Sequence, residues 1–455
     1  MNEQPLTPEK TMCRYRWSYP LVHLTTGEIK TCCHVLGNVA TQEEVDRLGP
    51  DLFLNHPRQI EYRREMANGI RNDSCSYCWN MEDKGINSPR QAGQHINYHF
   101  NRIGIEGPFN DIVAKIRETP ELLKSSNPDL VEISLGRSCD LKCMYCSENF
   151  SSLWEQERRK FGDPLRNAHV ETPPERFQEH FWTWFEQVHK SLTYISFIGG
   201  EPLISPEFHK TVDRIYDLYD RDPSQSVPTL GVISNFMAPP KVFKKFLDTA
   251  ERAMTKFPVL MLASVDTVGP RAEYIRNGLI WDRFVSNVRG LLALRPQKLM
   301  FTINPTINVL SVSSMLELLK LAKSLQDEFD FPVALGRNLV MFPKWYNPML
   351  LTPDFAPYLS ECVDFLERNK DPKYVVGHHG NWDMYIDFLK GLRDAIRDGS
   401  PDPRFQASFL RQIQRNDRRR GTSVRAVFPE YADFFKTCES KLQREKPFEW
   451  EEISP

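Results

Sequence analysis

Residues 131–149 read VEISLGRSCDLKCMYCSEN, a short apolar strand running directly into Cys139, Cys143 and Cys146 at C-x3-C-x2-C spacing. Three thiolates on one short loop can face a common point, and soft sulfur donors select iron-sulfur clusters, zinc or Cu(I). Only three are offered, so a four-iron cubane held by them keeps one iron open, and an open metal position is where a ligand or substrate binds. A structural zinc site needs a fourth protein ligand, usually in paired C-x2-C knuckles, and no His or Cys completes the set nearby. The spacing favours a three-cysteine cluster loop.

Outward from this loop the chain alternates apolar strands, expected near 131–135, 193–198, 229–234, 259–265, 299–305 and 333–340, with helical segments such as 173–190, 205–220, 239–254 and 311–329. Several helices open with Pro or Ser, as helix starts do. Six such β-α units with right-handed crossovers make an α/β fold, a parallel sheet curled into a partial (β/α)6 barrel. Active sites in parallel α/β folds lie at the carboxyl ends of the strands, so the polar residues just beyond each strand are the candidates.

After the second strand comes Ile198-Gly199-Gly200-Glu201-Pro202. Glycines let backbone approach a ligand closely, and a carboxylate there accepts from an ammonium group; Gly-Gly-X-Pro is also an ordinary strand-end turn. Ser234 and Asn235 follow the third strand, and Ser264, Asp266 and then Arg276 follow the fourth. A guanidinium forks onto a carboxylate through two parallel hydrogen bonds. Any one of these residues alone reads as a strand-end cap, whereas their recurrence on successive strands points to a site. Asn304 to Asn308 follow the fifth strand in the same way.

With these residues in place the chain resembles the radical SAM enzymes, whose signature is the same C-x3-C-x2-C with an aromatic before the last cysteine, here Tyr145, and a GGEP motif, here Gly199 to Pro202. The resemblance implies a [4Fe-4S] cluster on Cys139, Cys143 and Cys146 whose unique iron is chelated by the amino and carboxylate groups of S-adenosylmethionine. One electron, from a donor such as a flavodoxin or ferredoxin, then cleaves the sulfonium to methionine and a 5′-deoxyadenosyl radical. It also implies that Gly199, Gly200 and Glu201 hold the cofactor's amino group and that Ser234 and Asn235 stand near its ribose and carboxylate. Ser264, Asp266 and Arg276 would grip the carboxylate and ribose, and Tyr145 joins the cofactor-binding set. Phe236 departs from the glycine that often follows Ser-Asn in the family. No residue is assigned as catalytic.

A second cysteine set stands at Cys13, Cys32, Cys33, Cys75 and Cys78. Residues 20–33, PLVHLTTGEIKTCC, read as two short strands around a turn at Thr26-Gly27, which returns Cys32 towards Cys13. Helical stretches at QEEVDRLG and HPRQIEYRREMANG then deliver Cys75 and Cys78, the latter helix ending at Gly69. The pattern C-x18-C-x42-C-x2-C, with C-x13-G-x4-C at its start, resembles the SPASM and twitch modules of radical SAM enzymes, which bind an auxiliary [4Fe-4S] cluster. Here the pattern precedes the barrel, whereas in most of the family it follows. The resemblance implies Cys13, Cys32, Cys75 and Cys78 as ligands, with Cys33 an alternative to Cys32; tetrahedral zinc on the same thiols is the other reading.

The domain organisation expected is a cluster module at 1–80, a connector at 81–129 with a helix at DIVAKIRE, the barrel at 130–340, and a mostly helical extension at 341–455. In the extension, RNDRRR at 415–420 reads as a solvated helix end, His378 and His379 as a loop without partners spaced for a metal, and Cys362 and Cys438 as isolated thiols. A 40% hydrophobic, 26% charged chain of net charge -2 has no whole-protein field to collect nucleic acid or an anionic membrane. No apolar run reaches the roughly 18 residues of a membrane span, and the start shows no signal-peptide core. A cytoplasmic, reducing location suits the free thiols. Family members with such modules act on ribosomal peptides or small molecules, so both substrate classes stand.

Overall fold

A computed structural model describes residues 6–92, 96–165, 175–375 and 382–448; His378 and His379 lie outside them. The chain is mixed α/β with parallel-strand sheet and divides into two units: Met1–Gly136 with Ala168–Val232 and Thr255–Pro258, and Arg137–Asn167 with Ile233–Met254 and Val259–Pro455.

In the first unit, β1 (Leu21–His23) and β2 (Glu28–Lys30) form the expected antiparallel hairpin, Leu21 opposite Lys30. The turn needs Gly27, whose φ is 70°, a left-handed conformation in which a side chain is strained. β1 also pairs in parallel with β3 (Leu130–Ser134), Leu21 facing Glu132, and β3 pairs in parallel with β4 (Tyr194–Ile198). The hairpin carrying Cys32 is therefore continuous with the strand that precedes the cluster loop. β4 in turn pairs in parallel with β5 (Thr229–Ser234), whose residues up to Val232 lie in this unit. Val131 and Ile133 on one face and Glu132 and Ser134 on the other are all buried, as in a strand covered on both faces. The helix Pro206–Asp220 joins β4 to β5 and buries Phe208, Val212, Ile215 and Tyr219, one stripe at helical spacing. Below the hairpin, Met12 and Trp17 share a core with Met66 from the helix Pro57–Ala67, with Trp79, and with Ile96, Phe100, Ile112 and Ile116. Residues 81–129, expected as a connector, thus supply much of the hydrophobic support of the N-terminal cysteines.

In the second unit, β6 (Val259–Ala263), β7 (Leu299–Ile303) and β8 (Val333–Leu335) run parallel and in register, Val259 opposite Leu299 and Phe301 opposite Val333. Helices Ala356–Asn369, Asp383–Arg397, Pro403–Arg420 and Ala432–Arg444 complete it. Cys362 and Cys438 are both buried. Among the described residues no helix is long and apolar enough to cross a membrane.

Candidate functional site

The cluster loop lies in the second unit and is pinned through its backbone. Lys142–Cys143 pairs antiparallel with Arg276–Asn277, and the Met144 amide donates to the Ile275 carbonyl at 2.8 Å. Ser151 Oγ donates to the Leu141 carbonyl at 2.7 Å, and Trp154 Nε1 to that of Cys143 at 2.8 Å. The Cys139 amide donates to Ser152 Oγ at 3.2 Å. These anchors come from the first turn of the helix Ser152–Lys160 and its cap, so the sequence just after the last cysteine shapes the loop.

Behind the thiols stands a buried ion pair. Arg276 donates from Nε to Asp266 Oδ2 at 3.0 Å and from Nη2 to Oδ1 at 2.8 Å. Asp266 also accepts from Tyr145 Oη at 2.8 Å and from the Thr306 amide at 2.9 Å, and its side chain is wholly buried. The fork that the resemblance assigns to the cofactor's carboxylate is thus occupied by Asp266, and the Tyr145 hydroxyl is held by the same group. The remaining guanidinium nitrogen, Nη1, stands 3.9 Å from Cys143 Sγ. Burial works against the charge on Arg276, and the Asp266 carboxylate together with Tyr145 and Cys143 more than offsets it. Burial likewise pushes the Cys143 thiol up to about 11 and the Cys146 thiol up to about 12, with Arg276 opposing both. Thiols that resist ionisation in the protein alone gain a counter-charge from a bound cationic core, and Arg276 assists; the donor set fits a metal cluster.

Breaking the pair on one side leaves a buried charge without its partner, which typically costs about 3–5 kcal/mol. Asp266→Asn and Arg276→Met are each expected to lose stability of that order in urea unfolding. The double variant should lose clearly less than the two losses added, the mark of a direct interaction in a double-mutant cycle. Additive losses would show that the pair is not coupled.

Asn235 Nδ2 donates to Asp140 Oδ1 at 2.7 Å, tying β5's end to the cluster loop, while its Oδ1 accepts the Met237 amide at 2.8 Å. Ser234 Oγ accepts the Phe236 amide at 2.9 Å, and the Ser264 amide donates to the Ser234 carbonyl at 2.7 Å. Between these turns Phe236 has a φ of 56°, the left-handed conformation that glycine adopts without strain. Its ring is fully buried against Phe243, Phe284 and Phe301. A left-handed non-glycine residue costs about 1–2 kcal/mol, whereas emptying a buried Phe site costs about 3–5 kcal/mol. Phe236→Gly is therefore expected to lower stability by a net ~2 kcal/mol in thermal unfolding; a rise would show that strain outweighs packing. Of the segment after β7, Asn304 Oδ1 accepts from Asn338 Nδ2, tying it to the segment after β8, and Asn308 Oδ1 accepts the Leu310 amide, holding a local turn.

In the first unit, the Gly200 amide donates to the Gly136 carbonyl at 2.7 Å. Gly199 has a φ of 145°, and a Cβ on it would sit 2.8 Å from that same carbonyl oxygen, so close packing of two strand ends requires glycine there. Glu201 is buried, and its Oε1 accepts the Leu203 amide at 3.0 Å, capping the short turn Pro202–Ile204.

The first unit also brings the four N-terminal thiols together. Cys13, Cys32, Cys75 and Cys78 line one pocket of about 380 Å³, with Arg16, Thr31, His34 and Arg90 among its other walls, whereas Cys33 is exposed. Burial pushes Cys13 up to about 11 and Cys78 up to about 12, and neighbouring thiols add to both shifts. Arg16 is buried beside them with its Nε lacking an acceptor among the described residues. A cradle lined by four thiols and a buried cation fits an anionic metal-thiolate centre. Among the described residues no group of three or more His, Cys, Asp or Glu side chains is already placed to hold a metal ion.

A further pocket of about 390 Å³ adjoins Cys146, lined also by Met144, Trp154, Arg158, Asp163, Arg415 and Arg419. Arg415 and Arg419 both pair with Asp163, and Arg420 pairs with Glu157 at 3.2 Å while lying 4.6 Å over the ring of Trp154. The run at 415–420 is therefore not a solvated helix end: only Arg418 behaves as such, and the other arginines turn inward to brace the helix that follows the cluster loop. The i, i+4, i+5 spacing of Arg415, Arg419 and Arg420 is the signal that could have shown this.

No protein-family model and no curated relative matches the chain. Among solved structures it is similar to SuiB of Streptococcus suis, at 15% identity over 66% of this chain and 61% of that one, with a TM-score of 0.37. SuiB bound to S-adenosylmethionine is similar at 14% identity, 77% and 69% coverage and a TM-score of 0.36. The protein anSMEcpe with bound AdoMet is similar at 16% identity, 53% and 61% coverage and a TM-score of 0.35. The chain thus spans about three fifths of the first of these, and likeness this distant assigns neither residues nor activity.

Proposed function

We propose that this chain is a radical SAM enzyme that cleaves S-adenosylmethionine reductively at a [4Fe-4S] cluster and uses the resulting 5′-deoxyadenosyl radical for an oxidative modification of a peptide or small molecule. The observation that carries the reading is the C-x3-C-x2-C loop following β3, backed by the Arg276-Asp266-Tyr145 group. Cys139, Cys143 and Cys146 would hold the cluster, which supplies the electron for sulfonium cleavage. Arg276 sets a positive charge beside Cys143, Asp266 keeps that guanidinium in place, and Asn235 holds Asp140 and with it the loop's entry. Glu201, with Gly199 and Gly200, is the proposed seat of the cofactor's amino group; Ser234 and Ser264 complete the set after the strands. The architecture proposed is a partial (β/α)6 barrel at 130–340, a twitch-like module at 1–80 with an auxiliary [4Fe-4S] cluster on Cys13, Cys32, Cys75 and Cys78, a connector at 81–129, and a helical extension at 341–455. Electrons would come from a flavodoxin or ferredoxin.

One observation favours a second reading, a non-catalytic iron-sulfur or zinc protein used as a sensor or interaction module: Glu201, Asn235 and Arg276 all have partners within their own units. Anaerobic reconstitution with iron and sulfide separates the two. The enzyme is expected to show a cluster EPR signal that changes when S-adenosylmethionine is added, and to release 5′-deoxyadenosine with dithionite. A reconstituted protein whose spectrum ignores S-adenosylmethionine and which releases none overturns the proposal.

A further inference from the structure

We infer that Arg16 is an electrostatic tuning residue for the N-terminal four-cysteine site, raising the reduction potential of the iron-sulfur centre bound there. The inference rests on the reading of Cys13, Cys32, Cys75 and Cys78 as its ligands.

Arg16 is 2% exposed. Its Nη2 stands 2.9 Å from Cys75 Sγ and also donates to Ser74 Oγ, while Nη1 donates to Thr31 Oγ1 at 2.7 Å and to Gln59 Oε1 at 3.3 Å. Every oxygen among these partners is neutral. No carboxylate pairs with Arg16 among the described residues, and its Nε has no acceptor there. Its two cationic neighbours differ. Arg90, on another wall of the same pocket, is neutralised by Glu82 through Nε at 2.9 Å and through Nη2 at 2.5 Å. Arg63 is equally buried, but it donates to the carbonyls of Arg16, Leu54 and Leu123 and to Asn55 Oδ1, the pattern of a backbone brace. Among the described residues Arg16 alone places a guanidinium without a carboxylate directly against a thiol of the pocket.

A buried cation without a counter-ion is costly, and an anion beside it offsets that cost. Four thiolates outweigh the charge of an oxidised cubane core by about two, and by about three after one-electron reduction. The cation therefore favours the reduced form over the oxidised one, and an N–H donated to a ligand sulfur acts in the same direction. Removing Arg16 should move the centre to a more negative potential.

The test uses the full chain carrying Cys139→Ala, Cys143→Ala and Cys146→Ala, so that only the N-terminal centre titrates. After anaerobic reconstitution with iron and sulfide, an EPR-monitored redox titration with dithionite reads its midpoint. Arg16→Gln, neutral and able to donate, is expected to lower the reduced-to-oxidised ratio at the parent midpoint at least tenfold, which is about 59 mV for a one-electron couple. Arg16→Lys, which keeps the charge and loses the fork, should move the midpoint less. Iron should stay at about four per chain in all three proteins. Unchanged midpoints in both variants, with iron retained, overturn the tuning role and leave the metal-site reading standing. A parent chain that takes up zinc or no iron overturns the reading itself, and the inference with it. Loss of iron from both Arg16 variants makes Arg16 a structural member of the site and also overturns the tuning role.

Discussion

Replacing Cys139, Cys143 and Cys146 together by Ala is expected to end 5′-deoxyadenosine formation, a fall of at least about a thousandfold given that enzymatic accelerations usually exceed a millionfold. The three thiols are the only thiolate donors on the loop, and the lone thioether of Met144 cannot replace them, so their removal leaves no ligand set there that can retain an iron cluster. The loop should keep its course in the variant, because its anchors are backbone groups. The Cys143 carbonyl accepts from Trp154, the Leu141 carbonyl from Ser151, and Lys142–Cys143 pairs with Arg276–Asn277. None of these needs a sulfur atom. Arg276 keeps Asp266 as its partner, so no buried charge is abandoned. The measurement is 5′-deoxyadenosine by liquid chromatography after dithionite reduction, with far-ultraviolet circular dichroism to show that the fold persists. Undiminished cleavage by the folded triple variant would remove the cluster assignment from this loop.

Much of the sheet was legible because its strands are short, β-branched and apolar-rich segments lying between helical stretches: the expected segments 131–135, 193–198 and 229–234 lie within a residue or two of β3, β4 and β5. The hairpin was legible from Gly27 alone, since its left-handed φ marks the turn. That β1 pairs with β3 was not, because the partners lie more than a hundred residues apart and no local pattern encodes such a pairing. Candidate residues were legible as types and hidden as partners. Arg276 and Asp266 were both singled out, yet nothing in their spacing said that the guanidinium would close on that carboxylate and leave one nitrogen for Cys143. Arg16 was passed over altogether. Arginine is so rarely buried unpaired that a Cys-Arg-Tyr-Arg-Trp run reads as surface, and only the pocket around Cys75 shows otherwise.

The full chain carrying Cys13→Ala, Cys32→Ala, Cys75→Ala and Cys78→Ala is expected to fall from about eight irons to about four after anaerobic reconstitution, by the four-cysteine rule for each cubane. It should still release 5′-deoxyadenosine while losing the oxidised product. The two losses separate because the sites differ in valence. Four thiol ligands leave no open position for the cofactor, so on the proposed reading a centre in the N-terminal pocket would serve electron transfer, whereas the three-thiol loop would keep a position open. The packing around the site favours survival of the variant. The pocket is backed by an apolar core that includes Trp17, Met66, Trp79, Phe100 and Ile112, against which Cys13, Cys75 and Cys78 pack and which the substitutions leave in place. Cys33 does not line the pocket, although its side chain meets that of Cys32. The expected cost is electrostatic: with the thiolates gone, Arg16 remains buried without an anion, and the variant should unfold at a lower temperature than the metal-loaded parent. Iron counting, zinc by plasma emission spectroscopy and 5′-deoxyadenosine assay on the same preparation decide the matter. One zinc and four irons in the parent chain would make the N-terminal thiols a structural staple, and electron transfer through them would have to be abandoned; four irons lost together with all cleavage would mean instead that the two sites cannot be separated.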